Sequence, residues 1–283
     1  ARFGAPTQTT TASVFLLGRL FASGARLFIA AIAIEVATGL SMQWSIILLG
    51  IVAVAYTWFG GIKAVIWTDV LQAIVLVGGG TIALFSLLGD VSLTVGETVD
   101  FLSDHGKFRI FDFGDGGGWA ILSNPYHVVP AVIGGFFLTM ATHGTDHDMV
   151  QRLLTCRESR EGQRSLWMSG LVSVLVTTLF LGVGQMLFVY VQHLPVGDPM
   201  AIAAATLAES GKNGHFFLHY IVSGLPAGVT GLVLAAVFAA AMSSLDSAMS
   251  AMSATFVTDI YRPHFRRDAG QRHYLLVGRQ STA

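Results

Sequence analysis

Charge is what this sequence has least of. Only 12% of its 283 residues are charged, against about 25% in a soluble domain. Hydrophobic residues make up 53% of the chain, and the mean hydropathy is +0.65. A soluble globule of this length lacks a solvated surface on such terms, which places the chain in the membrane class. A net charge of -1 gives no basic face for nucleic acid, so no nucleic-acid partner is expected. The single cysteine, Cys156, excludes an intramolecular disulfide framework and suits a reduced, cytosol-facing loop. The opening "ARFGAPTQTT" holds neither an initiator methionine nor a signal-peptide n-region. With the ending "VGRQSTA", it leads us to expect a piece of a longer protein. Missing too are His-Glu-x-x-His, Gly-x-Ser-x-Gly and a P-loop, so neither an enzyme nor an organic cofactor is expected. What the sequence has in quantity is glycine, 32 residues, which with alanine and serine suits close helix packing in lipid.

A membrane helix needs about 20 mostly apolar residues. Such runs lie at about 12–39, 43–60, 65–89, 128–150, 166–192 and 227–258. The expected fold class is therefore all-α and polytopic, one transmembrane domain over 1–283 with external loops at 90–127 and 193–226. The last run exceeds a bilayer's need and should tilt or project into the cytosol. Within the second loop, "HFFLHYIVSGLP" is too short to cross and reads as an interfacial helix. The first loop, with "FGDGGGW", reads as rich in turns. Basic residues set the orientation. Arg2, Lys63, Arg152, Arg157, Arg160, Arg164, Arg262, Arg266, Arg267 and Arg272 fall on one side. Lys107, Arg109 and Lys212 fall on the other, among Asp90, Glu97, Asp100, Asp104, Asp112, Asp115, Asp198 and Glu209. Both ends of the chain are thus expected in the cytosol, and the protein in the cytoplasmic membrane, surrounded by lipid.

Polar side chains inside spans are costly, and each is a functional candidate. Arg19 and Arg26 share a helix face and point either into the bundle or, for Arg19, to the cytosolic interface by snorkelling. Glu35 reads as interfacial. Asp69 follows "YTWFGGIKAVIW", in which Gly60 and Gly61 permit a tight turn. Its carboxylate either caps the next helix or offers hard oxygen to a cation. In "AAAMSSLDSAMS" (239–250), Ser243, Ser247 and Ser250 share one helix face, with Ser244 and Asp246 beside them. A small-residue packing seam accounts for the serines but not for Asp246, which favours an oxygen-lined cation site. The dense "THGTDHDMVQR" (142–152) spaces His143 and His147 as helix-borne metal ligands often are, with Asp146 and Asp148 near. Without a further histidine close by, these read as polar residues at a membrane exit rather than as a metal site, and no transition metal is expected.

Three stretches taken together, "WFGGIKAVIWTDVLQ" (58–72), "GTDHDMVQRLLTCRES" (144–159) and "AAAMSSLDSAMSAMSATFVTDIY" (239–261), resemble the sodium/solute symporter family in order and interval. The resemblance implies a leucine-transporter-type bundle of two inverted five-helix repeats. Its six spans here would be the third to eighth core helices, followed by the start of the ninth at "HYLLVGRQSTA". It implies a main sodium site at the Ala240 carbonyl and the Ser243 and Ser244 hydroxyls. A second site would use Asp69, Ser243, Asp246 and Ser247, with Asp246 standing where sugar carriers have a hydroxyl residue. Solute contacts would fall at Thr139, and the inner gate at Thr142 with His143 beside it. Thr142 is not the aromatic that sugar carriers use, which leaves organic acids, amino acids or other small polar solutes open.

The function these readings imply is sodium-coupled symport of a small polar organic solute by alternating access. Sodium is the coupling ion, and the missing helices of the same chain are required partners. Two other readings remain at this stage: a solute-sensing membrane module of a signalling protein, and a metal-dependent membrane enzyme using His143, His147 and Asp146.

Overall fold

The computed structural model describes residues 4–114, 118–124 and 126–282, without the side chains of 56, 59–65, 119, 120, 148, 151, 152, 213 and 282. Arg2 and Asp115 therefore lie outside the described residues, as do the side chains of Lys63, Asp148 and Arg152. Among the described residues every regular element is helical, and β pairing is limited to one isolated bridge, Asp112 to His127. The helices are α1 (Gly4–Thr38), α2 (Met42–Asp90), α3 (Val95–Asp104), α4 (Trp119–Ser123), α5 (Val128–Gly144) and α6 (His147–Leu153). There follow α7 (Ser159–Gln192), α8 (Pro199–Glu209), α9 (Phe216–Gly224), α10 (Ala227–Thr255), α11 (Arg262–His264) and α12 (Gln271–Thr282). Among the described residues, four stretches are long and apolar enough to cross a membrane: Gly4–Thr38, Ile66–Asp90, Ser159–Gln192 and Ala227–His264. Large apolar side chains stand exposed on them, among them Phe21, Trp67 and Trp167. In water they would be a liability; lipid or further helices are their natural cover.

The chain divides into two compact units, Ala1–Leu88 with Leu194–Ala283, and Gly89–His193. In the first, α1 packs along α10. Ala30, Ala31, Ile34 and Leu49 form a buried cluster, with Phe238 and Ala241 of α10 against it. Alanine at these positions lets the two backbones draw together. The helices run antiparallel, since Gln8 at the start of α1 donates to Asp259 beyond the end of α10 (2.7 Å). α1 stops at Gly39, whose φ of +74° and N–H bond to Glu35 O (2.9 Å) form a left-handed cap. Arg19 is half-buried and Arg26 exposed. The stretch expected to be interfacial is α9, which buries Phe216, Tyr220 and Ile221. α10 continues through a π-helical turn, Phe256–Tyr261, into α11, so the helical run reaches well beyond residue 258.

Two expected boundaries differ. The turn at Gly60 and Gly61 is absent, and α2 runs unbroken from Met42 to Asp90. Glycine permits a turn but does not compel one, and apolar helix-forming residues flank the pair on both sides. Conversely, the span expected over 128–150 ends at Gly144. Thr145 leaves the helix with φ −129°, its hydroxyl bonds back to Ala141 O (2.8 Å), and the Asp146 N–H takes the same carbonyl. Thr and Asp compete for backbone groups in this way, which favours helix ends.

In the second unit, the loop expected to be mostly turns carries α3 and α4. A capping box opens α3: the Thr94 hydroxyl accepts from Glu97 N–H, while Glu97 accepts from Thr94 N–H at 2.8 Å. Those bonds hold the Glu97 carboxyl below its usual range. The Phe101 ring lies between His105, tilted against it, and His193, edge-on to it, and Lys107 lies over Phe188 at 4.2 Å, which fastens α3 to α7. Asp112 accepts from Gly114 N–H (3.0 Å) and Asn124 Nδ2 (3.1 Å) and pairs with Arg109 (2.8 Å). The Gly114 bond first, then Arg109, keeps its carboxyl below the ordinary aspartate value. Buried His127 starts α5: its Nδ1 accepts from Val129 N–H (3.2 Å), so Nε2 carries the proton and donates to Phe113 O (2.7 Å). Replacing His127 by alanine removes this cap, a loss of about 0.5–2 kcal/mol. Amide exchange over the first turn of α5 should accelerate by roughly two- to thirtyfold, and unchanged exchange there would contradict the capping role.

Candidate functional site

The site is built where α2 meets α10. Asp69 lies in the interior of α2, not at a helix start. Its capping alternative therefore fails, because every backbone N–H around it belongs to a continuous helix. Its partner lies on α10: Ser243 Oγ donates to Asp69 Oδ1 at 2.5 Å. This bond joins two of the residues singled out in the sequence, 174 positions apart. Ser247 Oγ donates to Ser243 O (3.0 Å), and Ser244 Oγ to Ala241 O (3.0 Å). With its proton turned to the backbone, the Ser244 hydroxyl keeps oxygen lone pairs for another ligand. Ala240 is exposed on α10, one position before Ala241.

Asp246 is set apart from that bond. It is 0% exposed, and neither carboxylate oxygen has a hydrogen-bond partner among the described residues. Burial of an ion without partners costs several kcal/mol, so this position calls for a compensating cation or a proton. Along this stretch α2 brings the Asp69 carboxylate, and α10 carries Ser243, Ser244, Asp246 and Ser247 together with its helix carbonyls. All are hard oxygen donors, the set that suits an alkali or alkaline-earth cation rather than a transition metal.

Two neighbours escaped the sequence reading. Gln72 stands one turn along α2 from Asp69, with Oε1 buried and without a partner among the described residues. Its signal was available, an i+3 spacing from Asp69 in "WTDVLQ". Gly79, in the run Gly78-Gly79-Gly80, is where α2 touches α10 most intimately, for a Cβ there would overlap Ala236 Cβ.

The solute candidates sit on α5, in the second unit. Thr142 Oγ1 bonds back to Leu138 O (3.0 Å) and Thr139 O (3.2 Å), and His143 Nδ1 lies 3.1 Å from Thr142 Oγ1. These three residues thus form one polar turn at the end of an otherwise apolar, exposed helix. The metal-like spacing of His143 and His147 is not realised, because the break at Thr145 and Asp146 puts them on different helices, α5 and α6. Among the described residues no three His, Cys, Asp or Glu side chains gather as a metal would require.

The whole chain, residues 1–283, matches the family model for the sodium:solute symporter family. It is 28% identical over 262 residues to a sodium/sialic acid symporter of Proteus mirabilis (strain HI4320), covering 92% of this chain and 50% of that one. It is 28% identical over 260 residues to a sodium/glucose cotransporter of Vibrio parahaemolyticus, 89% of this chain and 47% of the other. With the human sodium-coupled monocarboxylate transporter 1 it shares 26% over 270 residues, 94% and 42% of the two chains. The chain spans about half the length of these relatives. In structure it superposes on the substrate-bound, outward-open state of a Na+-coupled sialic acid symporter with a TM-score of 0.76 and 26% identity, covering 96% of this chain and 55% of that one. The fold is accordingly part of a leucine-transporter-type helix bundle in a membrane protein. The family and these relatives are symporters, not enzymes. The chain belongs to the sodium:solute symporter family.

Proposed function

We propose that the full-length protein couples inward movement of sodium to uptake of a small polar organic solute across the cytoplasmic membrane, by alternating access. The observation that carries this reading is the 2.5 Å bond between Asp69 on α2 and Ser243 on α10. It ties two membrane helices together through a carboxylate, at the place where a sodium ion would find oxygen from both. Sodium binds there with Asp69 and Ser243. The Ser244 and Ser247 hydroxyls, the Ala240 carbonyl and the Asp246 carboxylate complete the oxygen set. Thr139, Thr142 and His143 on α5 face the solute. The relatives carry sialic acid, glucose and monocarboxylates by name, so the class of solute stays at a small polar organic molecule.

Both ends of this segment lie in the cytosol in this reading, supported by the arginines at 157–164 and 262–272. α2 bends in the assembled carrier. Its 49 residues make a straight helix about 74 Å long, while the hydrocarbon layer is about 30 Å thick. Both apolar halves fit one bilayer only with a reversal near Gly60 and Gly61. Purified full-length protein in proteoliposomes tests the proposal. A sodium gradient should drive uptake of at least one sugar, amino acid or carboxylate, and replacing sodium with choline should abolish it. Uptake that proceeds equally in choline would defeat the reading.

A further inference from the structure

α2 and α10 run antiparallel and meet at two levels: Asp69 with Ser243, and Gly79 with Ala236. The second meeting sets the Gly79 backbone against the Ala236 methyl group. A Cβ on Gly79 would overlap Ala236 Cβ and lie 3.5 Å from Leu232 O and 3.6 Å from Val233 Cα. The adjacent Gly78 would meet nothing within 4 Å, so the close approach belongs to one position rather than to the glycine run. From Gly79 to Asp69 is about 15 Å along α2, and from Ala236 to Ser243 about 10 Å along α10. Helices are stiff over such lengths, so the separation imposed at the crossing is transmitted to the oxygen pair. That pair has little slack, since 2.5 Å is already at the short limit for an O–H···O bond.

We propose that Gly79 is a positioning residue for cation binding: the Gly79–Ala236 crossing sets the spacing at which Asp69 and Ser243 meet. The inference rests on the symport reading above, and it adds a residue that touches neither sodium nor solute. The crossing works as a pivot. Small rotations about a contact that holds a single methyl group, that of Ala236, open or close the oxygen pair without repacking either helix, whereas a second methyl group at 79 wedges the helices apart and loosens the pair.

The experiment uses full-length protein in proteoliposomes, with uptake measured against sodium at saturating solute and against solute at saturating sodium. Gly79→Ala is expected to raise the half-activating sodium concentration by about fivefold or more, with the solute KM within about twofold of wild type. Gly78→Ala, which has the same helix-propensity effect, should change neither. The exchange Gly79→Ala with Ala236→Gly moves the methyl group from one helix to the other. The new methyl then meets only ordinary contacts, and sodium activation should return to within about twofold of wild type. Unchanged sodium activation in Gly79→Ala overturns the inference, as does failure of the exchange to restore it, or a parallel rise in solute KM. Should Gly79→Ala not fold, the exchange variant decides alone, since it must fold and respond to sodium like the wild type. A wild type indifferent to sodium would instead bring down the symport reading itself.

Discussion

Replacing Asp69 by asparagine in the full-length carrier is expected to raise the sodium concentration for half-maximal uptake by at least about a hundredfold. Replacing Ser243 by alanine should raise it by about tenfold. Opposite unit charges 4 Å apart attract by about 4 kcal/mol at the effective dielectric of a protein site. Part of that is cancelled by the cost of removing both ions from water. A residual of about 2.7 kcal/mol corresponds to a hundredfold in affinity. Ser243 supplies a neutral oxygen and no charge, and a neutral hydrogen-bonding group is worth about 1 kcal/mol, with a further share from orienting Asp69. Because Ser243 Oγ bonds Asp69 Oδ1 directly, the two effects should not add: once Asp69 is neutral, removing the hydroxyl should cost much less. Solute KM at saturating sodium should move by less than about twofold in either variant. An unaltered sodium dependence in Ser243→Ala would remove the site from the α2–α10 seam.

How much of this was legible in the sequence depends on the range over which each signal acts. The apolar runs carry the helical, membrane-spanning class by themselves, because a bilayer demands length and apolarity from each segment locally. Read from the residues alone, Asp69 and Ser243 were two costly polar positions in separate spans, and it was the family resemblance that set them in one site. That they meet is a matter of helix register, which one sequence does not encode visibly. Gly79 was hidden for the same reason: a glycine in a helix says nothing of which neighbour it admits until Ala236 is seen against it. At Thr145–Asp146 the apolar run hid a stop, for a threonine and an aspartate ended the helix before residue 150. Gly60 and Gly61 lie inside α2, and the reversal proposed for the assembled carrier is the turn that this pair allows. His127 was legible in principle, as a polar residue just ahead of the apolar run with Pro130. Its second bond, to Phe113 O, depends on how the preceding loop folds.

Asp246 gives the sharpest test of whether the seam is built for an ion, because its effect should change sign with the salt. In sodium-free buffer the wild-type carrier holds a buried carboxylate whose oxygens have no hydrogen-bond partner among the described residues. Such a charge destabilises the fold by several kcal/mol unless something neutralises it. A neutral amide at the same position costs less to bury. At alkaline pH, where a proton does not neutralise the carboxylate, Asp246→Asn should therefore unfold at a higher temperature than wild type when choline is the only cation. Sodium reverses the order. At a hundred times its dissociation constant, a ligand that binds only the native state stabilises it by about 2.7 kcal/mol, and the wild type should gain this while the asparagine variant gains little. Asp246→Ser retains an oxygen without the charge, and its response to sodium should fall between the two. Thermal unfolding of the purified full-length protein across a sodium series reads all three curves directly. If Asp246→Asn is the less stable protein in choline and still shifts with sodium as the wild type does, Asp246 is a packing residue and the ion sits elsewhere.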